Sequence, residues 1–373
     1  LTRLRKPLAA FGVALGLTVV QAVFPLGGSD AAAPAYISIL ISRMPGQDSD
    51  AACHPYPGTV PTLTFAQALK ARGVATVVGS IVLDRTDTAD AGQCVAHIDS
   101  AGKMWGWSTG AGWNEIANLR DNFGWKFVSH SKSYYDLMEA PDDSVRQEET
   151  CGTLPILAAR GHTDAWGLFN YPDNRIDAAS DAIVTQCFAY SRQYNYQPVN
   201  TQASTGTYPH RLNVRSVNGG ACHNPKLACY RRPAGGTWYV PPSQVIALLH
   251  PTEGNYAVAQ FYKFVTGKRA KTSNPANPHW DCTSTNLNNH YTSQAEIYCY
   301  NDFLRIVNGR STTAIVTHPA AVAAAWGRTP VSTTTTTPET TTTTPETTTS
   351  TSTSTSTPET TTSTIETTTT IAD

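Results

Sequence analysis

The amino-acid sequence predicts an α/β protein whose strands run parallel to one another. Two apolar runs rich in β-branched residues are typical of strands buried on both faces of a sheet. Segments with the helical spacing of apolar residues lie between them. The predicted order is strand 36–42, helix 63–72, strand 74–83, helix 113–122 and strand 125–128. This alternation favours parallel strands that are joined by crossover helices.

The rest of the central region continues the pattern with one long interruption. From about residue 196 to 300 the chain is rich in Pro, Gly and Asn, so we expect loops over the rim of the fold. The other predicted elements are helix 154–159, strand 166–171, helix 177–185, strand 187–190, helix 296–307, strand 313–317 and helix 319–326.

Composition divides the chain into three parts. Residues 1–33 combine a basic start, an apolar run and an Ala-rich exit, which indicates a secretory signal peptide; a membrane anchor is the alternative. Residues 34–330 are long enough for one large domain with its own core. Residues 331–373 consist almost entirely of Thr, Ser, Pro and Glu, which indicates a disordered and O-glycosylated stalk.

Charge restricts the partners that the protein can have. The chain carries 27 Lys and Arg against 28 Asp and Glu, and it has no basic block outside the first residues. Nucleic acid and anionic membrane surfaces are therefore not expected partners, and no stable membrane span is expected once the signal is cleaved. The abundance of Trp, Tyr, Asn, Gln and Thr suits a polysaccharide partner. No feature of the sequence sets the oligomeric state.

Eight cysteines behind a signal peptide indicate four disulfides rather than a zinc site, because the chain contains no Cys-x2-Cys pair. Short spacing favours Cys222–Cys229 and Cys282–Cys299, which leaves Cys53–Cys94 and Cys151–Cys187.

The most informative motif follows the strand at 125–128. Residues 124–137 read Gly-Trp-Lys-Phe-Val-Ser-His-Ser-Lys-Ser-Tyr-Tyr-Asp-Leu. This segment resembles a motif of the polysaccharide deacetylases, the NodB-homology carbohydrate esterases, which reads Gly-Trp-Glu-Ile-Gly-Ser-His-Ser-x-x-His. Residues 74–79, 113–116 and 168–174 resemble further segments of that family in the same order. The resemblance implies a deformed β/α barrel with loop-rich, disulfide-bonded insertions.

The resemblance also implies a metal site, from which this sequence departs. His130 stands where the family has its first metal-binding His, and Tyr134 replaces the second. The family's Asp-Asp pair after the first strand is absent, since that strand ends Ser42-Arg43. A hydrolytic zinc site generally needs three protein ligands. No cofactor is therefore expected, unless Asp48, Asp50 or Asp84 rebuilds a zinc site.

Other site residues follow from the same resemblance. His250 and His318 are the alternatives for the family's late general acid. Tyr134, Tyr171 and Asp173 are the expected substrate contacts. A distant alternative is a serine hydrolase, because residues 106–110 spell Gly-Trp-Ser-Thr-Gly around Ser108, although no strand is predicted directly before them.

Together these observations predict a secreted, extracellular or cell-wall-associated protein that acts on a glycan. Two functions stay open at this point. One is deacetylation of a cell-wall or extracellular polysaccharide, and the other is glycan binding by a metal-free pseudoenzyme.

Overall fold

The structure is a computed structural model of the 373-residue chain. It describes residues 33–42, 58–90, 95–98, 104–108, 111–194, 199–202, 210–216, 240–271, 279–286, 290–292 and 297–328.

These residues form an α/β fold. The strands are β1 (Tyr36–Ile41), β2 (Val78–Ile81), β3 (Val95–Ile98), β4 (Met104–Ser108), β5 (Lys126–Ser129), β6 (Ser191–Tyr194), β7 (Val199–Thr201), β8 (Arg211–Ser216), β9 (Asn255–Phe261), β10 (Lys263–Val265), β11 (Lys268–Arg269), β12 (Trp280–Asp281), β13 (Tyr291–Thr292), β14 (Ile297–Cys299) and β15 (Ile315–Val316). The α-helices are α1 (Thr62–Ala71), α2 (Leu83–Asp90), α3 (Trp113–Phe123), α4 (Asp143–Glu149), α5 (Thr153–Ala159), α6 (Ala178–Cys187), α7 (Pro242–Leu248), α8 (Tyr300–Gly309) and α9 (Pro319–Ala325). Short 3-10 helices cover Leu137–Glu139, Ala165–Gly167 and Pro172–Asn174.

The main sheet has the strand order β5-β2-β1-β9-β8-β6, and all neighbours along this path are parallel. β15 pairs in parallel with the start of β1, and β7 pairs antiparallel with β9. β1 lies in the middle because its residues after Tyr36 are all buried, as a strand covered on both faces requires.

A single residue links the two ends of this strand path. Phe169 forms parallel bridges to Ser129, the last residue of β5, and to Ser191, the first residue of β6. The Asn170 amide donates to the Ser129 carbonyl at 2.9 Å, and the Arg192 amide donates to the Phe169 carbonyl at 2.8 Å. The segment around Phe169 therefore serves as a very short strand between β5 and β6.

The two faces of the sheet belong to different apolar clusters. Ile37, Ile39 and Ile41 of β1 pack in a cluster with residues of α1, α3 and α8. Leu40, between them, packs in a second cluster with residues of the neighbouring strands. Side chains of a strand alternate between its two faces, so successive apolar residues of β1 pack in one cluster and then in the other.

The α/β class with parallel strands is confirmed, but several predicted elements are wrong. Within 196–300, where we expected a loop-rich segment, β9 pairs with β1 along the whole length of β1. Segment 166–171 contributes the bridges at Phe169 instead of a full strand, and the strand expected at 187–190 begins at Ser191. The predicted helix 296–307 divides into β14 and α8.

Two predicted disulfides are confirmed. Cys151 pairs with Cys187 and ties the start of α5 to the end of α6, and Cys282 pairs with Cys299. Cys53, Cys94, Cys222 and Cys229 lie outside the described residues. So do the predicted signal at 1–33, apart from residue 33, and the predicted stalk at 331–373.

Within the described ranges, none of the helices combines the length and the apolar character needed to cross a membrane.

Substitution of Gly124, the residue directly after α3, tests how closely the end of α3 packs against the backbone at Ala75. Its φ is +70°, and a Cβ at this position would lie 2.4 Å from the Ala75 carbonyl oxygen. Gly73 follows α1 with φ +69°, and a Cβ there would have nothing within 4 Å. We expect Gly73→Ala to lower the free energy of unfolding by about 1–2 kcal/mol through backbone strain. Gly124→Ala should cost about 1–3 kcal/mol more, because the Ala75 backbone must move. Equal losses in chemical denaturation would contradict this packing.

Candidate functional site

His130 lies at the C-terminal end of β5, beside the end of β1. Its amide donates to the Ile81 carbonyl at 2.7 Å, which fixes the residue directly after the strand. Ser42 follows β1, and its Oγ lies 3.3 Å from His130 Nδ1. The strand order of the sequence predicts this neighbourhood of Ser42 and His130, and the prediction is confirmed. Arg43 lies outside the described residues.

An apolar layer of side chains lies two residues before the C-terminal ends of these strands. It consists of six buried members of one cluster, which lie on β1, β2 and β5, on the Phe169 segment, directly before β6 and on β9: Leu40, Val78, Val128, Leu168, Tyr190 and Val258. Because side chains alternate, the residue two positions further along each strand points to the same side. Those residues form what we call the polar layer: Ser42, Ser80, His130, Asn170, Arg192 and Gln260.

All six members of the polar layer are at most 1% exposed. The layer contains two hydroxyls, two amides, an imidazole and a guanidinium, and none of the six is a carboxylate. Burying polar groups is costly unless they find hydrogen-bond partners. The hydrogen-bond partners of each member therefore show which polar atoms of the layer are satisfied.

One part of the layer is satisfied by serine hydroxyls. Ser80 Oγ lies 3.1 Å from His130 Nδ1 and 3.3 Å from Ser42 Oγ. A hydroxyl can donate to a neutral imidazole nitrogen or accept from it. The three side chains therefore satisfy one another without the carboxylates that the resemblance would place after the first strand.

On the other side of the layer, Arg192 contacts neutral oxygen atoms. Its Nη2 donates to the Tyr171 carbonyl at 2.6 Å, and its Nη1 donates to Gln260 Oε1 at 3.3 Å. These contacts hold the guanidinium across the interior of the sheet, from β6 toward β9.

Asn170 lies between these two parts of the layer. It is fully buried, and neither Nδ2 nor Oδ1 has a hydrogen-bond partner among the residues that the structure describes. An Asn side chain offers two donors and one acceptor group. Its amide therefore has hydrogen-bonding capacity that is left open within the described part of the chain.

The loop that follows His130 is held by a buried carboxylate. Glu149 is 7% exposed, and its Oε2 accepts from the amides of Lys132 and Ser133 at 3.1 and 2.9 Å. Its Oε1 accepts from Ser133 Oγ at 2.6 Å. Glu149 thus replaces the backbone partners that an irregular loop lacks.

Tyr134 covers His130 at the rim of the sheet. The two rings lie 5.1 Å apart, and the Arg85 guanidinium lies 4.4 Å from the Tyr134 ring on a cation–π contact. Tyr134 Oη donates to Asp173 Oδ1 at 3.0 Å, so two of the three expected substrate contacts meet here.

These rim loops carry unusual backbone. Among the described residues other than glycine, those with positive φ are Ser131, Tyr134, Asp173 and Asn174. Left-handed backbone is costly for L-residues, and such strain concentrates at functional sites.

The residues around His130 do not fit a divalent metal. No carboxylate of the described residues lies in the layer, the phenol at the second ligand position is bonded to Asp173, and a guanidinium shares the layer. A neutral phenol with a pKa near 10 is a poor ligand. In the described parts of the chain, the group of three potential ligands is elsewhere, at His290, Cys299 and Asp302. Asp48 and Asp50 lie outside those parts.

That second group is structural. Cys299 is bonded to Cys282, so its sulfur is not a thiolate ligand. His290 Nδ1 lies 2.6 Å from Asp302 Oδ2, and His290 Nε2 lies 2.8 Å from the Ser284 carbonyl. Both ring nitrogens face oxygen atoms, so His290 links Asp302 of α8 to the Ser284 carbonyl.

Asp84 does not reach the polar layer. It is exposed in the first turn of α2, and its amide donates to the Lys132 carbonyl at 3.0 Å. Partial desolvation raises the pKa of its carboxyl, and the Lys132 ammonium opposes that shift. The predicted strand 74–83 is too long, because β2 covers only Val78–Ile81.

Both alternatives for the general acid lie at the wrong end of the sheet. His318 follows β15, which pairs with the first residues of β1, and His250 precedes β9. His130 follows the end of a strand parallel to these. Burial lowers the pKa of His318, and His250 is exposed with Nε2 2.7 Å from the Gly309 carbonyl. Neither can deliver a proton at His130.

Two further expectations need correction. Tyr171 is fully buried, and its hydroxyl donates to Asp181 Oδ1 at 2.9 Å, so its side chain belongs to the core and not to a substrate surface. Burial also raises the pKa of that hydroxyl. Ser108 ends β4, which belongs to a two-stranded antiparallel sheet, so it is not at the strand-to-helix turn of a nucleophile elbow.

No family model matches this sequence, and no curated protein matches it either. Among solved structures, a family 4 carbohydrate esterase from Streptomyces lividans in complex with acetate is similar at 11% identity and a TM-score of 0.32, over 62% of this chain and 80% of that chain. The deacetylase PplD from Streptococcus pyogenes has 10% identity and a TM-score of 0.27, over 44% and 85%. A polysaccharide deacetylase from Bacillus cereus has 11% and 0.27, over 44% and 58%. At such TM-scores, neither a shared fold nor a shared activity follows.

Glu149 and its neighbour provide a matched test of the rim. Glu149→Gln replaces an accepting oxygen with a donor that faces other donors, so the free energy of unfolding should fall by about 1–3 kcal/mol. Glu148 is exposed and pairs with the Lys132 ammonium, so Glu148→Gln should cost less than about 1 kcal/mol. Urea denaturation of both variants measures the difference. A loss in Glu149→Gln no larger than in Glu148→Gln would show that the carboxylate does not hold the loop.

Proposed function

We propose that this chain is a secreted protein that binds cell-wall or extracellular polysaccharide through a domain resembling polysaccharide deacetylases, without metal-dependent deacetylation. The observation that carries the proposal is the polar layer, where hydroxyls, amides and a guanidinium surround His130 in place of carboxylates.

The chemistry of the layer argues against hydrolysis. Metal-assisted deacetylation needs an ion to lower the pKa of the attacking water, and a base to take its proton. Among the described residues, no carboxylate shares the layer with His130. His130 Nδ1 is already engaged by Ser42 and Ser80. The alternative is an active deacetylase in which Asp48, Asp50 or Asp84 supplies the missing ligands.

We further propose that the sheet closes as a deformed β/α barrel. The parallel path from β5 to β6 and the two bridges at Phe169 support closure. In such a barrel, the loops after the C-terminal ends of the strands surround the site. The polar layer and the rim residues Tyr134 and Asp173 lie at that end.

Rim aromatics support an interaction with sugars. Tyr135, next to Tyr134 in the sequence, is 37% exposed and offers an aromatic face to solvent. Aromatic side chains combine a large apolar surface with a polar group at one end, which suits a sugar ring. The disulfides Cys151–Cys187 and Cys282–Cys299 support an oxidising compartment. A signal at 1–33 and a glycosylated stalk at 331–373 complete the proposed secreted protein.

Metal content and acetate release test this function. We expect the purified chain to keep little zinc after dialysis, and to release no more acetate from acetylated chitin or peptidoglycan fragments than a blank. His130→Ala, checked for folding by circular dichroism, separates the two functions, because it should abolish acetate release only if His130 binds a metal. Asp84→Asn is the companion variant, since Asp84 is the described residue that could rebuild a ligand set.

A different outcome of the same experiments would contradict the proposed function. Stoichiometric zinc, together with acetate release that is abolished by His130→Ala, would mean that the chain is an active deacetylase. Loss of the metal in Asp84→Asn would then identify a substitute ligand.

A further inference from the structure

We propose that Asn170 and Arg192 form a binding site for the carboxylate of an acidic sugar in the polar layer. The inference rests on the proposed function, because it names the class of sugar that the glycan would contain.

The first observation is the open amide of Asn170. The side chain is fully buried, yet Nδ2 and Oδ1 have no partner among the described residues. Leaving a buried polar group unsatisfied costs about 1–3 kcal/mol. Its neighbours show that the amide points to the polar layer, since Leu168 packs in the apolar layer and Phe169 packs in a separate cluster.

The second observation is the position of Arg192. The bridges from Phe169 to Ser129 and Ser191 place His130, Asn170 and Arg192 at the same level on adjacent strands. Adjacent strands lie about 4.8 Å apart. One ligand group can therefore contact both the Asn170 amide and the Arg192 guanidinium.

The charge of the layer selects an anion. A guanidinium stays protonated in proteins, and its planar fork matches a carboxylate. The other five members of the layer carry no negative charge. The same composition that rejects a divalent cation at His130 thus favours a carboxylate beside Arg192.

The donor and the acceptor of the Asn170 amide further restrict the class of ligand. A carboxylate can accept from Asn170 Nδ2 and from Arg192, but it cannot donate to Asn170 Oδ1. A uronic acid carries a ring hydroxyl next to its carboxylate, and that hydroxyl can donate to Oδ1. A neutral hexose lacks the anion, and a free organic acid such as acetate lacks the hydroxyl.

Entry is from the rim. Tyr134 is half-buried and packs on His130 at the C-terminal end of the sheet. Its bond to Asp173 joins the loop after β5 to the loop after the Phe169 segment.

The test compares three probes on the full chain by titration calorimetry. Glucuronate and glucose share a ring and differ in the carboxylate, and acetate supplies the carboxylate alone. We expect glucuronate to bind at least tenfold more tightly than glucose or acetate. Equal binding of glucuronate and glucose, or no binding of glucuronate, would overturn the proposal. Acetate binding as tight as glucuronate binding would overturn the assignment to a sugar acid.

Variants separate a binding role from a structural one. Asn170→Leu has a similar volume and removes both open polar atoms, so it should weaken glucuronate binding at least tenfold while Tm is unchanged or higher. Arg192→Lys keeps the charge but loses the planar fork, and it should weaken binding as well. Ser180→Ala is the control, because Ser180 Oγ is also buried without a described partner but lies on α6, outside the layer. Unchanged binding in Asn170→Leu, or a clear fall in its Tm, would overturn the proposal.

The two proposals can fail separately. Zinc content and acetate release decide the proposed function, and the difference between glucuronate and glucose decides this inference. A metal-free chain that binds neutral oligosaccharides and glucuronate equally well would keep the first and lose the second.

Discussion

Alternation of side chains along parallel strands is the constraint on which this structure depends. Strands β1, β2, β5 and β9 of the main sheet send alternate residues to the two apolar clusters. Two residues beyond the apolar layer, six strands and segments must therefore bury their next side chains together. The chain fills these places with Ser, His, Asn, Arg and Gln, which are polar groups at a depth where water cannot satisfy them.

This constraint also explains which parts could be predicted from the sequence. β1 and the turn at His130 could be predicted from the sequence, because an apolar run and a local motif can each be recognised within a few residues. β9 was not, since Asn255 and Gln260 lie in a stretch whose Pro, Gly and Asn content indicates loops, and only pairing with β1 makes it a strand. Asn170 and Arg192 escaped for a related reason. The Phe169 segment pairs through one residue, which leaves no periodic pattern to detect.

Sequence matches alone, without the position of the residue in the sheet, gave the wrong candidates for the general acid. His250 suits a family motif by its neighbours and His318 by its place after a predicted strand, but chain direction places both at the opposite end of the sheet from His130. Tyr171 was similarly expected at a surface, although its apolar ring fills the core beside Phe169 and its hydroxyl is taken by Asp181. Residue type defines what a group can do, and the direction and register of its strand decide where it does so.

The central claim is that the buried edge of the sheet accepts an anion beside Asn170 and Arg192, and not a metal at His130. Crystals soaked separately in bromide and in zinc, with anomalous differences measured for each, test it most directly. We expect a bromide peak within hydrogen-bond distance of Asn170 Nδ2 and the Arg192 guanidinium, and no zinc peak at His130. A zinc peak on the His130 imidazole, with the Asn170 site empty of bromide, would contradict it.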